Sequence, residues 1–266
     1  MTFSGRKVKA CVFILSGILV LLLMISAYPG VSHAETTARE ILEKVDDMWR
    51  GTSSYAEMTM EVVTAHWERT LKLRAWSKGK EYSLVLITFP KKERGLASLK
   101  VQNDIFNYLP RVNRTIRVPS SMMMGSWMGS HFTNDDLVKE SRMSDDYTVQ
   151  IAFEGIRDGL SIYELVLLPK PEAPVVWGKI EITVEKTELI PIKSLYFDED
   201  EQLIRTMDFT DVRIMGGRKI PATLILVPTD KPDERTFIRY DSMDFDIDLD
   251  ESFFSLRNLS RRDLVQ

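Results

Sequence analysis

The chain of 266 residues contains one cysteine, Cys11, three histidines and no dense basic block. Each scarcity removes a class of function. A single thiol excludes a disulfide framework and a thiolate metal cluster, so the fold must stand on its own core. His33, His66 and His131 occur in no metal-ligand spacing such as H-E-x-x-H. A histidine without a partner is also a weak acid–base catalyst. No P-loop or dinucleotide fingerprint occurs. Gly125-Ser126-Trp127-Met128-Gly129 misses the G-x-S-x-G nucleophile elbow by one residue and follows no strand that could present the serine. The formal net charge of −4 argues against nucleic acid, whose binding rests on phosphate neutralisation. Neither an enzyme nor a cofactor protein is expected.

Long apolar runs are equally scarce, and the one present lies at the start. Arg6, Lys7 and Lys9 precede an apolar stretch from Ala10 to Ser26. Pro29-Gly30 then breaks any helix, and Ser32-His33-Ala34 puts small residues where a signal peptidase reads. This is the three-part layout of a secretory signal, with cleavage expected between Ala34 and Glu35. An uncleaved anchor is the alternative, because the run is near the lower limit of about 17–25 residues for a span. Cleavage would remove the cysteine and three positive charges, leaving 232 residues with a formal charge of −7. The expected organisation is a signal peptide over 1–34 and one soluble exported domain over 35–266, most simply a monomer.

Within that domain the hydrophobic period changes once. Thr37-Ala38-Arg39-Glu40 fits a capping box, and Ile41, Leu42, Val45, Met48 and Trp49 recur at helical spacing before Gly51. A helix over 37–50 is expected. From Ser54 the period becomes two. Met58, Met60 and Val62 alternate with polar residues, as do Leu71, Leu73 and Ala75, then Val149, Ile151 and Phe153, then Ile180, Ile182 and Val184. Such alternation marks antiparallel strands with one dry face. Ser77-Lys78-Gly79-Lys80, Asp198–Glu201, Gly216-Gly217 and Pro228–Pro232 read as turns. About ten strands over 54–245 imply a single curved sheet or barrel. Phe253, Phe254, Leu256 and Leu259 are expected to pack a last segment against the body.

Three stretches are candidates for chemistry. Asp244, Asp246, Asp248 and Asp250 imitate the start of a calcium loop, but Leu249 stands where its glycine should be and Ser255 where its glutamate should be. A terminal or edge strand with an acidic face explains them better. Arg111, Arg114 and Arg117 form a spaced cationic set. If 112–118 is extended, Arg111 and Arg117 share a face, either as solvated charge or as contacts for an anionic headgroup or a partner. Pro119–Lys139 is neither alternating nor helical until Thr133, where Thr133-Asn134-Asp135-Asp136-Leu137 looks like a capped short helix. It holds Met122, Met123, Met124, Trp127, Met128 and Phe132 among small residues. Methionine adapts to ligands of varied shape, and a long apolar loop is often a lid. A plug for the end of the sheet is the alternative.

The run from Asn107 to Leu137 resembles a specific signature. Leu109-Pro110, Arg114, Arg117, Ser120-Ser121, Gly125-Ser126, Met128-Gly129-Ser130, Phe132 and Asp136-Leu137 match the pattern of the outer-membrane lipoprotein-sorting-protein-like family. That family is related in fold to the lipoprotein carrier LolA. The resemblance implies an incomplete antiparallel β-barrel, mainly β, with an N-terminal helix and a helical or loop lid on the concave face. It also implies a periplasmic carrier of lipoprotein acyl chains or another lipid, often beside an inner-membrane transporter of the ABC or RND type. Met58, Met60, Leu71 and Leu73 are then expected in the wall, and Met122, Met123, Met124, Trp127, Met128 and Phe132 in the lid. Arg111, Arg114 and Arg117 are the candidate headgroup or partner contacts. A transporter accessory subunit with a self-filled cavity is the alternative function.

Overall fold

A computed structural model describes residues 37–139, 143–173 and 175–259. The signal segment and its cut at Ala34 lie outside these residues. Helix α1 (Ala38–Asp46) starts as expected: Thr37 Oγ1 accepts from the Glu40 amide at 3.2 Å, and Glu40 Oε2 accepts from the Thr37 amide at 2.8 Å. It stops four residues early, because Asp47 closes the last turn and Gly51 turns the chain with φ +61°. Ile41, Leu42 and Val45 are buried on one stripe.

Thirteen strands follow where about ten were expected. They are β1 (Ser53–Val63), β2 (Glu68–Lys78), β3 (Tyr82–Phe89), β4 (Ala97–Val101), β5 (Asp104–Leu109) and β6 (Arg114–Arg117) before the long connection. After it come β7 (Tyr147–Arg157), β8 (Leu160–Pro169), β9 (Lys179–Glu185), β10 (Pro191–Phe197), β11 (Leu203–Met215), β12 (Arg218–Pro228) and β13 (Arg235–Phe245). All pairings are antiparallel, in one open sheet ordered β6-β5-β4-β3-β2-β1-β13-β12-β11-β10-β9-β8-β7. Two hairpins show why neighbours in sequence are neighbours in the sheet. Asp158-Gly159 and Gly216-Gly217 both take positive φ, the conformation of two-residue turns that match strand twist.

The hairpin chain alone would leave the first and last strands apart. Pairing of β13 with β1 joins the halves, with Met60 opposite both Leu71 and Ile238. The same face continues through Leu224, Met207, Ile182 and Leu165 into one hydrophobic core, which α1 also enters with Ile41, Leu42 and Val45. The opposite face of β3 and β4, with Leu84, Leu86, Ala97 and Leu99, is covered by the C-terminal segment. Phe254 and Leu259 are buried there within α4 (Leu256–Leu259) and the turn before it, while Leu256 is exposed, contrary to expectation. β3 therefore buries both faces over its apolar middle, Leu84 to Ile87.

β13 lies inside the sheet and ends at Phe245, so the aspartate series is not an edge strand. Asp246 accepts from the Thr52 amide and hydroxyl at 3.0 and 2.9 Å and from Arg218 at 3.1 Å, and Asp250 caps the turn at Ser252. These carboxylates have structural partners.

The topology gives the long connection its role. β6 and β7 are the two edges of the sheet, so the chain between them must travel from one edge to the other. It contains α2 (Asn134–Lys139) and α3 (Met143–Asp146). Its buried residues Trp127 and Phe132 join the main core.

Candidate functional site

The core face is not completely filled. A cavity of about 170 Å³ lies between α1, the connection and the strands of both halves. Its floor on β1 and β2 is made of small residues. Ser54 and Ala56 stand directly opposite Ser77 and Ala75, so two adjacent positions carry almost no side-chain bulk. Larger apolar groups surround them: Met58, Val85, Met207, Leu224, Ile238 and Met243 from the sheet, Val45 and Trp49 from the helix end. A pre-formed pocket whose lining is mainly apolar suits an apolar ligand or the apolar part of an amphiphile.

The expected wall residues share the core face, but they divide by depth. Met58 lines the cavity, whereas Met60, Leu71 and Leu73 are buried beyond it in packed core. The alanines Ala56 and Ala75, on the same strands, make the room. Sequence reasoning passed over them because it looked for large apolar side chains.

The Met-rich segment divides likewise. Trp127 and Phe132 line the cavity, and Met128 packs against the core from a half-buried position. Met123 packs on Ile105 and Val118 in a separate small cluster. Met122 and Met124 are more than half exposed and lie outside the cavity lining. The aromatic pair, and not the methionine triplet, covers the pocket.

That cover is fastened at several points. The Trp127 indole donates to Ser98 Oγ on β4 at 3.1 Å. Arg69 on β2 donates to the Met128 carbonyl at 2.8 Å and pairs with Glu93. The His131 amide donates to Thr236 Oγ1 at 3.1 Å, and its ring lies 2.8 Å from the same hydroxyl and 3.1 Å from Glu234. The imidazole holds the Glu234 carboxyl below the ordinary glutamate range. His66, by contrast, is exposed in the turn between β1 and β2.

The strongest fastening uses the expected cap at Thr133. Thr133 and Asp136 exchange side-chain and backbone hydrogen bonds at 3.1 and 2.7 Å, opening α2 with an aspartate in the place of the usual capping-box glutamate. The Asp136 carboxylate also receives both guanidinium nitrogens of Arg205 on β11, at 2.6 and 2.5 Å. Arg205 is 3% exposed and lies 4.3 and 4.2 Å from the ring centres of Trp177 and Tyr196. Bidentate geometry and two aromatic faces offset the desolvation of a buried cation. Arg205 occupies the dry register of β11 with Met207, and that break in alternation was its signal in the sequence.

A second buried charge borders the cavity. Asp46, at the end of α1, is 5% exposed; its Oδ2 accepts from the Ser144 amide at 2.9 Å, and its Oδ1 has no hydrogen-bond partner. Burial pushes its carboxyl up to about 6, against the opposing pull of Ser144, Lys80 and Arg50.

The cationic set lies away from this cavity. Only Arg114–Arg117 is extended, because Asn113 turns the chain with φ +49°. Arg111 therefore precedes the strand and donates to the Lys92 carbonyl at 2.9 Å, while Arg117 pairs with Asp104 and Arg114 is exposed. All four residues of this short edge strand are exposed, and its arginines discourage edge-to-edge pairing.

Comparison with known proteins places this architecture. No curated protein matches the sequence. A LolA superfamily protein from Nitrosomonas europaea superposes with TM-score 0.73 at 24% identity, covering 84% of this chain and all (100%) of the other. A Vibrio parahaemolyticus domain assigned as an outer membrane lipoprotein-sorting protein gives 0.75 at 22% identity, covering 84% and 98%. A DUF1329 family protein from Desulfovibrio piger gives 0.76 at 20% identity, covering 84% and 97%. A family model described as uncharacterized protein-like matches residues 79–261, more than half of the chain. The chain therefore belongs to the family of that model, and it has the fold of the LolA superfamily and of the outer membrane lipoprotein-sorting proteins.

Proposed function

We propose that this protein is a non-enzymatic periplasmic carrier that takes the acyl chain of a lipoprotein or another lipid into its core-face cavity and moves it across the envelope. The supporting observation is the cavity itself, apolar and bordered by both halves of a LolA-like sheet. Burial of an acyl chain contributes about 0.8 kcal/mol per methylene, so an apolar trough holds cargo without catalytic groups. Trp127 and Phe132 form the cover, with Met128 behind them; Met58 with its small neighbours forms the wall. Native mass spectrometry of protein isolated from its own envelope tests the reading. A co-purifying lipid that is released on unfolding is expected. Protein that carries no lipid and takes up no apolar probe would overturn it.

A second reading, an accessory subunit of an inner-membrane transporter, draws on the exposed edge. Arg114 and Ile116 on β6, with Met122 and Met124 beyond it, leave a cationic and apolar margin outside the cavity. In that reading Arg111, Arg114 and Arg117 are partner or headgroup contacts. Charge reversal at all three would abolish cross-linking to an envelope partner.

A further inference from the structure

The cavity has a polar end as well as an apolar one. Ser54, Ser77 and Ser83 stand in register on adjacent strands β1, β2 and β3, all on the cavity face. Ser54 and Ser77 share a hydrogen bond of 2.7 Å, but Ser83 Oγ, although buried, has no partner. Asp46 borders the same cavity with its own unpartnered oxygen. Moving along β1 in steps of two residues, the face changes from Ser54 through Ala56 to Met58, about 13 Å in all. At the polar end Ser77 and Ser83 are half-buried while Ser54 and Asp46 are buried; at the apolar end Met58, Met207 and Leu224 are buried.

Two buried oxygens without partners are costly unless a ligand supplies what they lack. A serine hydroxyl can donate or accept, but an ionised carboxylate only accepts. We infer that Ser83, its serine neighbours and Asp46 form a headgroup subsite for amphiphiles whose head donates hydrogen bonds, through an amine or through hydroxyls, with the tail running toward Met58. This inference rests on the carrier reading and names the chemistry of its cargo. Arg50 and Lys80 are the cations that face Asp46, and Lys80 is itself 3.5 Å from Asp145. Neither removes the need for a donor at Asp46 Oδ1. A head with acceptors alone would leave both oxygens desolvated and unpaired.

The test compares three twelve-carbon probes that differ only in the head: dodecylamine, monododecanoylglycerol and methyl dodecanoate. Each is titrated at pH 7.5 against the fluorescence of the cavity tryptophans Trp49, Trp76 and Trp127. At least one donor-bearing probe should bind about tenfold more tightly than the ester. The stronger of the two identifies an ammonium or a polyol head as the natural type. Asp46→Asn should reduce the preference for the amine about tenfold and leave the ester unchanged. Ser83→Ala removes a hydroxyl with no partner in the fold, so it should weaken the glycerol probe without lowering stability. Equal binding of all three probes, or an unchanged preference in both variants, would overturn the subsite and leave the carrier standing. No binding of any probe would overturn the carrier reading with it. If Asp46→Asn does not fold, the wild-type ranking and Ser83→Ala decide the matter.

Discussion

At the scale of single residues, two of the buried charges, Asp46 and Arg205, make opposite predictions. Asp46 is raised from an ordinary value of 3.8 to about 6, chiefly by burial. Between those values the native chain holds a proton that the unfolded chain has lost. The contribution of Asp46 to stability therefore falls as pH rises through that window and is level above it. Asp46→Asn removes the penalty: it should be more stable than wild type near pH 7, by at most about 3 kcal/mol, and similar near pH 4. Urea unfolding at both pH values checks this, and a gap independent of pH would refute it. Arg205 is the reverse case, a charge whose partner is essential. Asp136→Ala should cost about 3–5 kcal/mol, because it leaves a buried guanidinium without its carboxylate. Adding Arg205→Met should recover part of that loss, since the double variant has no uncompensated charge.

At the scale of elements, the connection between β6 and β7 behaves as a plug tied to the sheet. Its ties reach β4, β2, β13 and β11 through Ser98, Arg69, Thr236 and Arg205. Thr236→Val would remove both hydrogen bonds between His131 and Thr236 and leave the ring's contact with Glu234. The expected result is faster proteolysis between 119 and 139, with a loss of global stability of only about 1–2 kcal/mol. Equal protection in the variant would mean that the tie through Thr236 holds nothing. The sequence disclosed this element's existence, through the lapse of alternation after Pro119 and the cap at Thr133. It did not disclose which side chains cover the cavity. A run of three methionines looks like a lid on composition, yet the edge-to-edge route turns Met122 and Met124 outward and Met123 into a side cluster. Trp127 and Phe132 lie where the chain crosses the core face, a fact of topology that no local pattern carries.

At the scale of the whole molecule, alternation made the antiparallel sheet legible and the phase of β1 and β2 with it. It missed strands where that signal fails by construction: β4 puts Ala97 and Leu99 on one face and Ser98 and Lys100, all buried, on the other. The cavity was illegible for a different reason. A large side chain announces a core, but a cavity is a deficit of volume, and it appears only when Ala56 meets Ala75 across a pair of strands. That deficit is testable independently of any headgroup. Ala75→Phe places an aromatic ring where Ala56 and Ala75 leave the floor open, and the half-buried site and neighbouring space can take it with little strain. The variant should therefore fold with near wild-type stability while its uptake of a brominated fatty acid, read as tryptophan quenching, drops at least about tenfold. Undiminished quenching in a folded Ala75→Phe protein would show that lipid enters elsewhere, and the open sheet would then be scaffold and not container.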